Sequence, residues 1–141
     1  YYSQLAASGD YSKLAASGDS SKLAASGDSS QIAASGYSSQ LAASGNSSQL
    51  AASGDSSKLA ASGDSSKLAA SGDYSQLAAS GKKAIVAAIG YESCAKAAEG
   101  GWLVLSEWIN DEPFVAASKV GENGIKPDTF YMLKNKKFVE A

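Results

Sequence analysis

The chain has 141 residues, including 12 Lys and 14 Asp or Glu, and its formal net charge is −2. It contains neither Arg nor His, and so lacks the usual bidentate phosphate clamp, the commonest general base and a common metal ligand. This composition disfavours nucleic-acid binding by phosphate neutralisation. It predicts a protein that is not an enzyme and has no cofactor or bound metal.

No apolar run approaches transmembrane length and no signal peptide is visible, so we expect no membrane partner. Cys94 is the only cysteine, so no internal disulfide can form. The chain begins at Tyr1 rather than at Met, which is compatible with residues preceding Tyr1 in the native protein.

From residue 1 to residue 99 the sequence repeats a nine-residue unit, as in "YSKLAASGDSSKLAASGD". Its glycines keep strict register at Gly9, Gly18, Gly27, Gly36, Gly45, Gly54, Gly63, Gly72, Gly81 and Gly90. An aliphatic slot recurs at Leu5, Leu14, Leu23, Ile32, Leu41, Leu50, Leu59, Leu68, Leu77 and Val86, with Ala95 in the last unit. A fixed period of this kind predicts a repeat architecture.

Neither a helix nor a flexible linker explains the repeat. At about 100° per residue, nine residues turn a helix so that successive Leu side chains point to opposite sides, which leaves no apolar face. Each internal Gly would also cost a helix about 1 kcal/mol. A linker has no use for an aliphatic residue kept in one slot.

Extended segments satisfy the pattern, because side chains on a strand alternate between two faces. Ser3, Leu5 and Ala7 would face inward, while Gln4, Ala6 and Ser8 would face outward. Gly would supply unusual backbone angles at the turn, and the following Asp or Asn would bond its own backbone there. A nine-residue circuit is very tight, so we predict two units, or about eighteen residues, per coil. The fold class is therefore an all-β solenoid, or β-roll, of nine-residue half-coils.

The last two units, residues 82–99, are degenerate. Ile85 and Cys94 occupy outward slots that hold Gln or Lys in earlier units, which predicts that another part of the chain covers this coil. The first coil has no such cover and leaves an open sheet edge at Tyr1 and Tyr2. We therefore expect self-association, either end to end through this edge or through a sheet face.

Residues 100–141 form a second unit of different composition that holds both Trp and all three Phe. "WLVLSEWI" and "EPFVAASKV" read as two strands. A turn is expected at residues 121–124, followed by a hairpin around Asn135 and Lys136 in "DTFYMLKNKKFVEA". About forty residues fold poorly alone, so we predict an antiparallel β unit that caps the last coil.

Two stretches carry a resemblance to known proteins. "GKKAIVAAIGYESCAKAAEGGWLVLSEW" and "IKPDTFYMLKNKKFVEA" resemble the C-terminal domain of an uncharacterised family of phage and prophage proteins, in which it follows nonapeptide-like runs. The family has no settled activity, and the resemblance implies the cytoplasm of a bacterial host or a virion as the location. "AIGYESCAKA" is more loosely similar to the head repeats of trimeric autotransporter adhesins, which form β-rolls.

Four tyrosines are the candidate binding residues, because exposed aromatics at a rim are natural contacts for a partner. Tyr11, Tyr37, Tyr74 and Tyr91 stand at turn positions that otherwise hold Ser or Asp. Cys94 reads as a packing residue. The Ser residues lack a base at a telling spacing, and Glu107, Asp111, Glu112 and Asp128 are scattered carboxylates, so neither set predicts catalysis.

The leading functional interpretation is a non-enzymatic, phage- or prophage-linked protein that binds a protein partner stoichiometrically, either a virion component or a host defence factor. A purely structural fibre or adhesive rod is the alternative. Calcium binding by the turn Asp residues and ice binding by the outer Ala and Ser rows are further alternatives. The turns offer few of the oxygens that calcium needs, and the repeats contain no Thr, while Lys13, Lys22, Lys58 and Lys67 interrupt the flat rows.

Overall fold

A computed structural model describes all 141 residues and contains strands and turns but no helix; accordingly, no helix could span a membrane. The eleven repeat strands are β1 (Gln4–Ala7), β2 (Lys13–Ala16), β3 (Lys22–Ala25), β4 (Gln31–Ala34), β5 (Gln40–Ala43), β6 (Gln49–Ala52), β7 (Lys58–Ala61), β8 (Lys67–Ala70), β9 (Gln76–Ala79), β10 (Ile85–Ala88) and β11 (Cys94–Lys96). The terminal unit contains β12 (Trp102–Ile109), β13 (Glu112–Lys119), β14 (Tyr131–Lys134) and β15 (Lys137–Glu140).

Successive repeat strands alternate between two sheets. The odd strands stack in the order β1-β3-β5-β7-β9-β11, and the even strands in the order β2-β4-β6-β8-β10. Neighbours within a sheet are parallel and in register at an offset of eighteen residues, as in Leu5↔Leu23 and Leu14↔Ile32. The predicted β-solenoid with two units per coil is therefore confirmed.

The core is a column of aliphatic side chains between the two sheets. From Leu14 to Val86 the aliphatic slot is at most 7% exposed, and the second Ala of each strand packs beside it from Ala25 onward. Leu5 was expected in the same column but is 37% exposed, because β1 pairs on one side only and no coil lies beyond it.

The inward Ser that precedes each of the strands β3 to β9, and β11, is buried as well. In the middle of the stack its hydroxyl donates to the carbonyl oxygen of the Gly three residues earlier, as Ser48 does to Gly45 at 2.8 Å. No buried polar side-chain atom lacks a partner. This hydrogen bond stabilises the turn from its inner side and satisfies the Ser hydroxyl, so a polar residue can be buried beside an apolar core.

The repeat glycines do not supply the unusual backbone angles, and that expectation was wrong. The left-handed conformation falls two residues later, for example at Ser47 with φ 55° and Ser56 with φ 56°. The glycines from Gly27 to Gly90 are needed for space: a Cβ there would overlap the backbone of the Gly eighteen residues earlier. Gly9 has no such neighbour, and its nearest atom would be 3.7 Å away.

The terminal unit extends both sheets. β12 pairs with β10 in parallel and with β13 in antiparallel, while β14 pairs with β11 and β15 in antiparallel. Leu103 and Leu105 are fully buried, and Val86 and Ala95 beneath the unit are fully buried too. The predicted antiparallel unit is confirmed, with turns at residues 120–124 and at Asn135–Lys136.

The cover over the last coil is uneven. On the eight-stranded sheet, the Phe130 ring lies over β11 and Lys96 Nζ stands 5.0 Å from its centroid; Cys94 is half-buried. On the seven-stranded sheet, Ile85 remains 43% exposed. The expectation that Ile85 is covered was wrong, because β12 and β13 continue its sheet sideways and do not fold over its outer face.

Candidate functional site

The turns of the solenoid form two edges. Turns that follow the odd strands β1 to β9 make one edge, which we call the aspartate edge, at residues 9–11, 27–29, 45–47, 63–65 and 81–83. Turns that follow the even strands make the opposite edge, which we call the tyrosine edge, at residues 18–20, 36–38, 54–56, 72–74 and 90–92. Each edge is a column of turns that repeats at about 4.8 Å, the spacing between strands.

Backbone hydrogen bonds link the turns within each edge. The residue with positive φ donates its N–H to the carbonyl of the turn one coil later, as Ser29 does to Asn46 at 2.8 Å and Ser56 does to Asp73 at 2.7 Å. This link uses no side chain, so the position tolerates Ser, Tyr, Lys and Glu. The edges therefore keep one backbone path while their side chains differ.

The Asp and Asn side chains add a second link, and it differs from the one predicted. They accept from the backbone N–H one coil later instead of bonding their own turn. On the aspartate edge four such bonds, 2.7–2.9 Å long, follow one another without interruption. The accepting side chains are those of Asp10, Asp28, Asn46 and Asp64, and the N–H of the residue eighteen positions later donates in each case, ending with Lys82. The tyrosine edge has two such bonds: Asp55 accepts from the Asp73 N–H, and Asp73 accepts from the Tyr91 N–H.

The four predicted tyrosines do not share one location. Tyr37, Tyr74 and Tyr91 lie on the tyrosine edge, whereas Tyr11 lies on the aspartate edge. Tyr1 and Tyr2 precede Asp19 and Ser20 by one coil and thus begin the tyrosine edge. Five of the six tyrosines in the repeats therefore stand in one column.

The rings on the tyrosine edge are exposed to solvent. Tyr37 and Tyr74 are each 56% exposed and are two coils apart, or about 10 Å along the stack. Tyr74 and Tyr91 are in adjacent turns and make an edge-to-face contact, with ring centroids 5.8 Å apart. The nearby Glu92 carboxylate is the main cause of a raised pKa for the Tyr91 hydroxyl, and desolvation and the neighbouring Tyr74 raise this pKa further.

Tyr37 replaces a residue that would stabilise the stack better. Tyr37 stands where Asp10 or Asp28 accepts a backbone hydrogen bond on the other edge, and a phenol at this position makes none. Such departures from the local rule are typical of functional positions.

The other side chains that could bind a metal or act in catalysis do not come together in one site. No three Cys, Asp or Glu side chains come together as a metal site. Glu107 accepts from the Lys136 N–H at 2.8 Å and so holds the β14–β15 turn against β12. Burial raises the pKa of the Cys94 thiol, which makes it a poor nucleophile at neutral pH.

The grouping of the tyrosines could have been found in the sequence. Units of nine residues alternate between the two edges, and the tyrosines at positions 1, 2, 37, 74 and 91 all fall in odd-numbered units, whereas Tyr11 falls in an even one. Counting units therefore separates Tyr11 from the other tyrosines on the sequence alone.

Comparison with known proteins adds no relative: no protein family, curated protein or solved structure matches the chain.

Proposed function

We propose that the protein is a non-enzymatic binding module, linked to a phage or prophage, whose tyrosine edge docks stoichiometrically on a protein partner. The partner would be a virion component or a host defence factor. The observation that carries the proposal is the collection of five exposed tyrosines on one edge of a rigid stack. Tyrosine offers a large apolar ring with a polar tip and is enriched among the residues that dominate binding energy.

The stack supplies preorganisation. A backbone hydrogen bond joins each turn to the next from residues 18–20 to residues 90–92, and the Asp55 and Asp73 side chains add two further bonds, so Tyr37, Tyr74 and Tyr91 lose little freedom on binding beyond that of their own side chains. Asp19, Asp55 and Asp73 alternate with the rings along the same edge. These carboxylates favour a partner surface with apolar pockets between basic side chains.

The test compares capture by three forms of the full chain. The first is the wild type. The second carries Tyr37→Asp, Tyr74→Ser and Tyr91→Asp, which restore the residues that most turns hold at those positions and therefore preserve the fold. The third carries Tyr11→Ser, which removes a more exposed ring from the opposite edge. Each form is immobilised and exposed to bacterial lysate and to disrupted virions, and the bound proteins are quantified by mass spectrometry.

The expected result is one protein retained at a near-equimolar ratio by the wild type and by Tyr11→Ser, with at least about tenfold less on the triple variant. Equal retention by all three forms, or no protein at a stoichiometric level, would contradict docking through this edge. The source of the captured protein, lysate or virion, separates the two partner classes.

A structural rod is the second candidate, and the open end of the stack favours it. β1 and β2 are edge strands with unpaired backbone groups on their outer sides, and such edges pair readily with other strands. A rod predicts long assemblies that persist after deletion of one whole coil, residues 46–63. Electron microscopy of the wild type and the deletion variant distinguishes this outcome from small, closed species.

A further inference from the structure

The outer face of the seven-stranded sheet ends in an apolar patch that the chain does not cover. Its members are outward-facing side chains of β10, β12 and β13 and of the residue after β10: Ile85, Ile89, Trp102, Trp108 and Val115. We call this set the tryptophan patch. Each member is between 43% and 55% exposed, and clustered exposed aromatics of this kind mark interaction surfaces.

The patch is nearly uncharged. Trp102 lies between Ile85 on β10 and Lys119 on β13, and Trp108 lies opposite Pro113. Lys119 is the only charged residue at the outward positions of these three strands, and it pairs with Glu122 at 3.5 Å. A charged partner would therefore find little to recognise, whereas a second apolar sheet face would match it.

The two tryptophans are arranged symmetrically on β12. They lie six residues apart on the same face, three positions on either side of Leu105. A two-fold axis through the centre of β12, parallel to the stacking direction, would place Trp102 of one copy over Trp108 of the other. The patch is thus complementary to itself in the way that a two-fold interface requires.

The size of the face agrees with a dimer. The seven strands of this sheet, at usual strand dimensions, offer a flat face of roughly 550 Å² per copy. Two copies would bury about 1,100 Å² in total, just above the ~1,000 Å² at which specific interfaces begin. Along the rest of the face, this symmetry sets the outer Ala row of one copy against the Ser row of the other, and the Gln and Lys row against the Asp and Tyr positions of the tyrosine edge, so no like charges meet.

We propose that two copies of this chain associate through the tryptophan patch, face to face and with their solenoids side by side. The tryptophan patch adjoins the tyrosine edge, where Trp108 and Tyr91 line one cavity, but the tyrosine-edge proposal does not use its two Trp residues, so the Trp variants test the two proposals separately. The eight-stranded sheet gives the contrast within the molecule: Phe130 of the same chain already lies over the corresponding end.

The test exploits the fact that the chain has only two Trp residues, both in the patch. Sedimentation velocity of the full chain is measured from about 1 to 200 μM, together with tryptophan emission at the same concentrations. We expect a monomer–dimer equilibrium in the micromolar range, consistent with a small interface. The emission should shift to the blue over the same concentrations, because association removes water from the indoles.

Three variants locate the interface. Trp102→Ser and Trp108→Ser should each weaken dimerisation by about tenfold or more. Tyr11→Ser, which removes an exposed ring from the opposite edge, should leave it unchanged. Ala6→Pro removes a backbone donor from the β1 edge and should also leave it unchanged, whereas end-to-end pairing would be lost.

Several outcomes would overturn the proposal. A monomer at every concentration would do so, including one whose emission shifts only when another protein is added. A dimer that survives both Trp substitutions, or that Ala6→Pro abolishes, would place the contact elsewhere. Circular dichroism of each variant, compared with the wild type, confirms that the coils are intact.

Discussion

The coils and the terminal unit both use glycine, but for opposite reasons. In the coils Gly54 does not have a positive φ, and it is required because the backbone of Gly36 occupies the place of its Cβ. In the terminal unit Gly124 has φ 77° and open space around it. In the coils, the choice of residue is limited by backbone contact between equivalent turns of successive coils. In the terminal unit it is limited by the backbone angle that a single loop requires. Substitutions should therefore fail in different ways in the two regions.

The largest expected effect is on glycine in the middle of the stack. Gly54→Ala should lower the free energy of unfolding by about 4 kcal/mol or more, at the upper end for one substitution, because backbone must move apart. Gly124→Ala should cost about 1 kcal/mol from its left-handed conformation alone. Urea unfolding followed by circular dichroism measures both.

Asparagine sharpens the same contrast, because it tolerates positive φ better than Ala does but is larger. Gly124→Asn should be nearly neutral, while Gly54→Asn should be at least as damaging as Gly54→Ala. If Asn rescued both positions equally, backbone angle and not space would explain the repeat glycines. Gly9→Ala is the control within the coils, since its Cβ would have room.

The second prediction compares the covered and the open end of the coils. Leu77→Ala should destabilise the protein by about 3 kcal/mol, because Leu77 is fully buried near the terminal unit and would leave a cavity. Leu5→Ala should cost less than about 1 kcal/mol, because water already reaches that side chain. Equal losses at the two positions would mean that something covers the first coil in solution.

The third prediction concerns a contact that has no copy elsewhere in the chain. The Tyr131 hydroxyl oxygen accepts from the Lys126 N–H at 2.9 Å and holds residues 125–127 against β14. Tyr131→Phe keeps the ring and removes only this bond, so the expected loss is about 1 kcal/mol. The loss should appear in chemical denaturation, and amide exchange at Lys126 should accelerate while that of the coils does not.

The smallest effect is expected on the aspartate edge, where each bond is one of a series. Asp28→Ala removes the acceptor for the Asn46 N–H at an exposed turn and should cost about 0.5 kcal/mol. Asp28→Asn is the matched control and should be neutral, because Asn46 itself accepts from Asp64 in the same way. A large loss with Asp28→Asn would show that the charge matters and not the hydrogen bond.

Sequence reasoning predicted most of the architecture because periodicity reports it directly. Spacing of Leu14 and its equivalents gave the strands, the inward face and the two units per coil, all confirmed. Periodicity records only that a slot is constant, however, and not why it is. The repeat therefore predicts that Gly54 is needed for its backbone angle, whereas the structure needs it for space. It also predicts that Asp28 bonds within its own turn, whereas Asp28 accepts a hydrogen bond from the next coil.

The candidate surfaces were harder to predict for a different reason. Alternation places Trp102 and Trp108 on one face of β12, but it does not say whether that face meets a core or water. The outward Ile85 suggested a cover, and only the pairing of β12 beside β10 revealed that the face stays open. Tertiary packing determines which sheet a terminal strand joins, and the local sequence pattern carries no information about it.

Alternation of the units between two sheets has a consequence for how such a gene can change. Recombination between near-identical repeats gains or loses units readily, and each single gain or loss moves every turn upstream of it to the opposite side of the molecule relative to the terminal unit. Losing residues 46–54, for instance, would separate Tyr37 from Tyr74 and Tyr91 without altering any of them. Only changes by even numbers of units preserve the pattern, so natural length variants that keep a working edge should differ by whole coils.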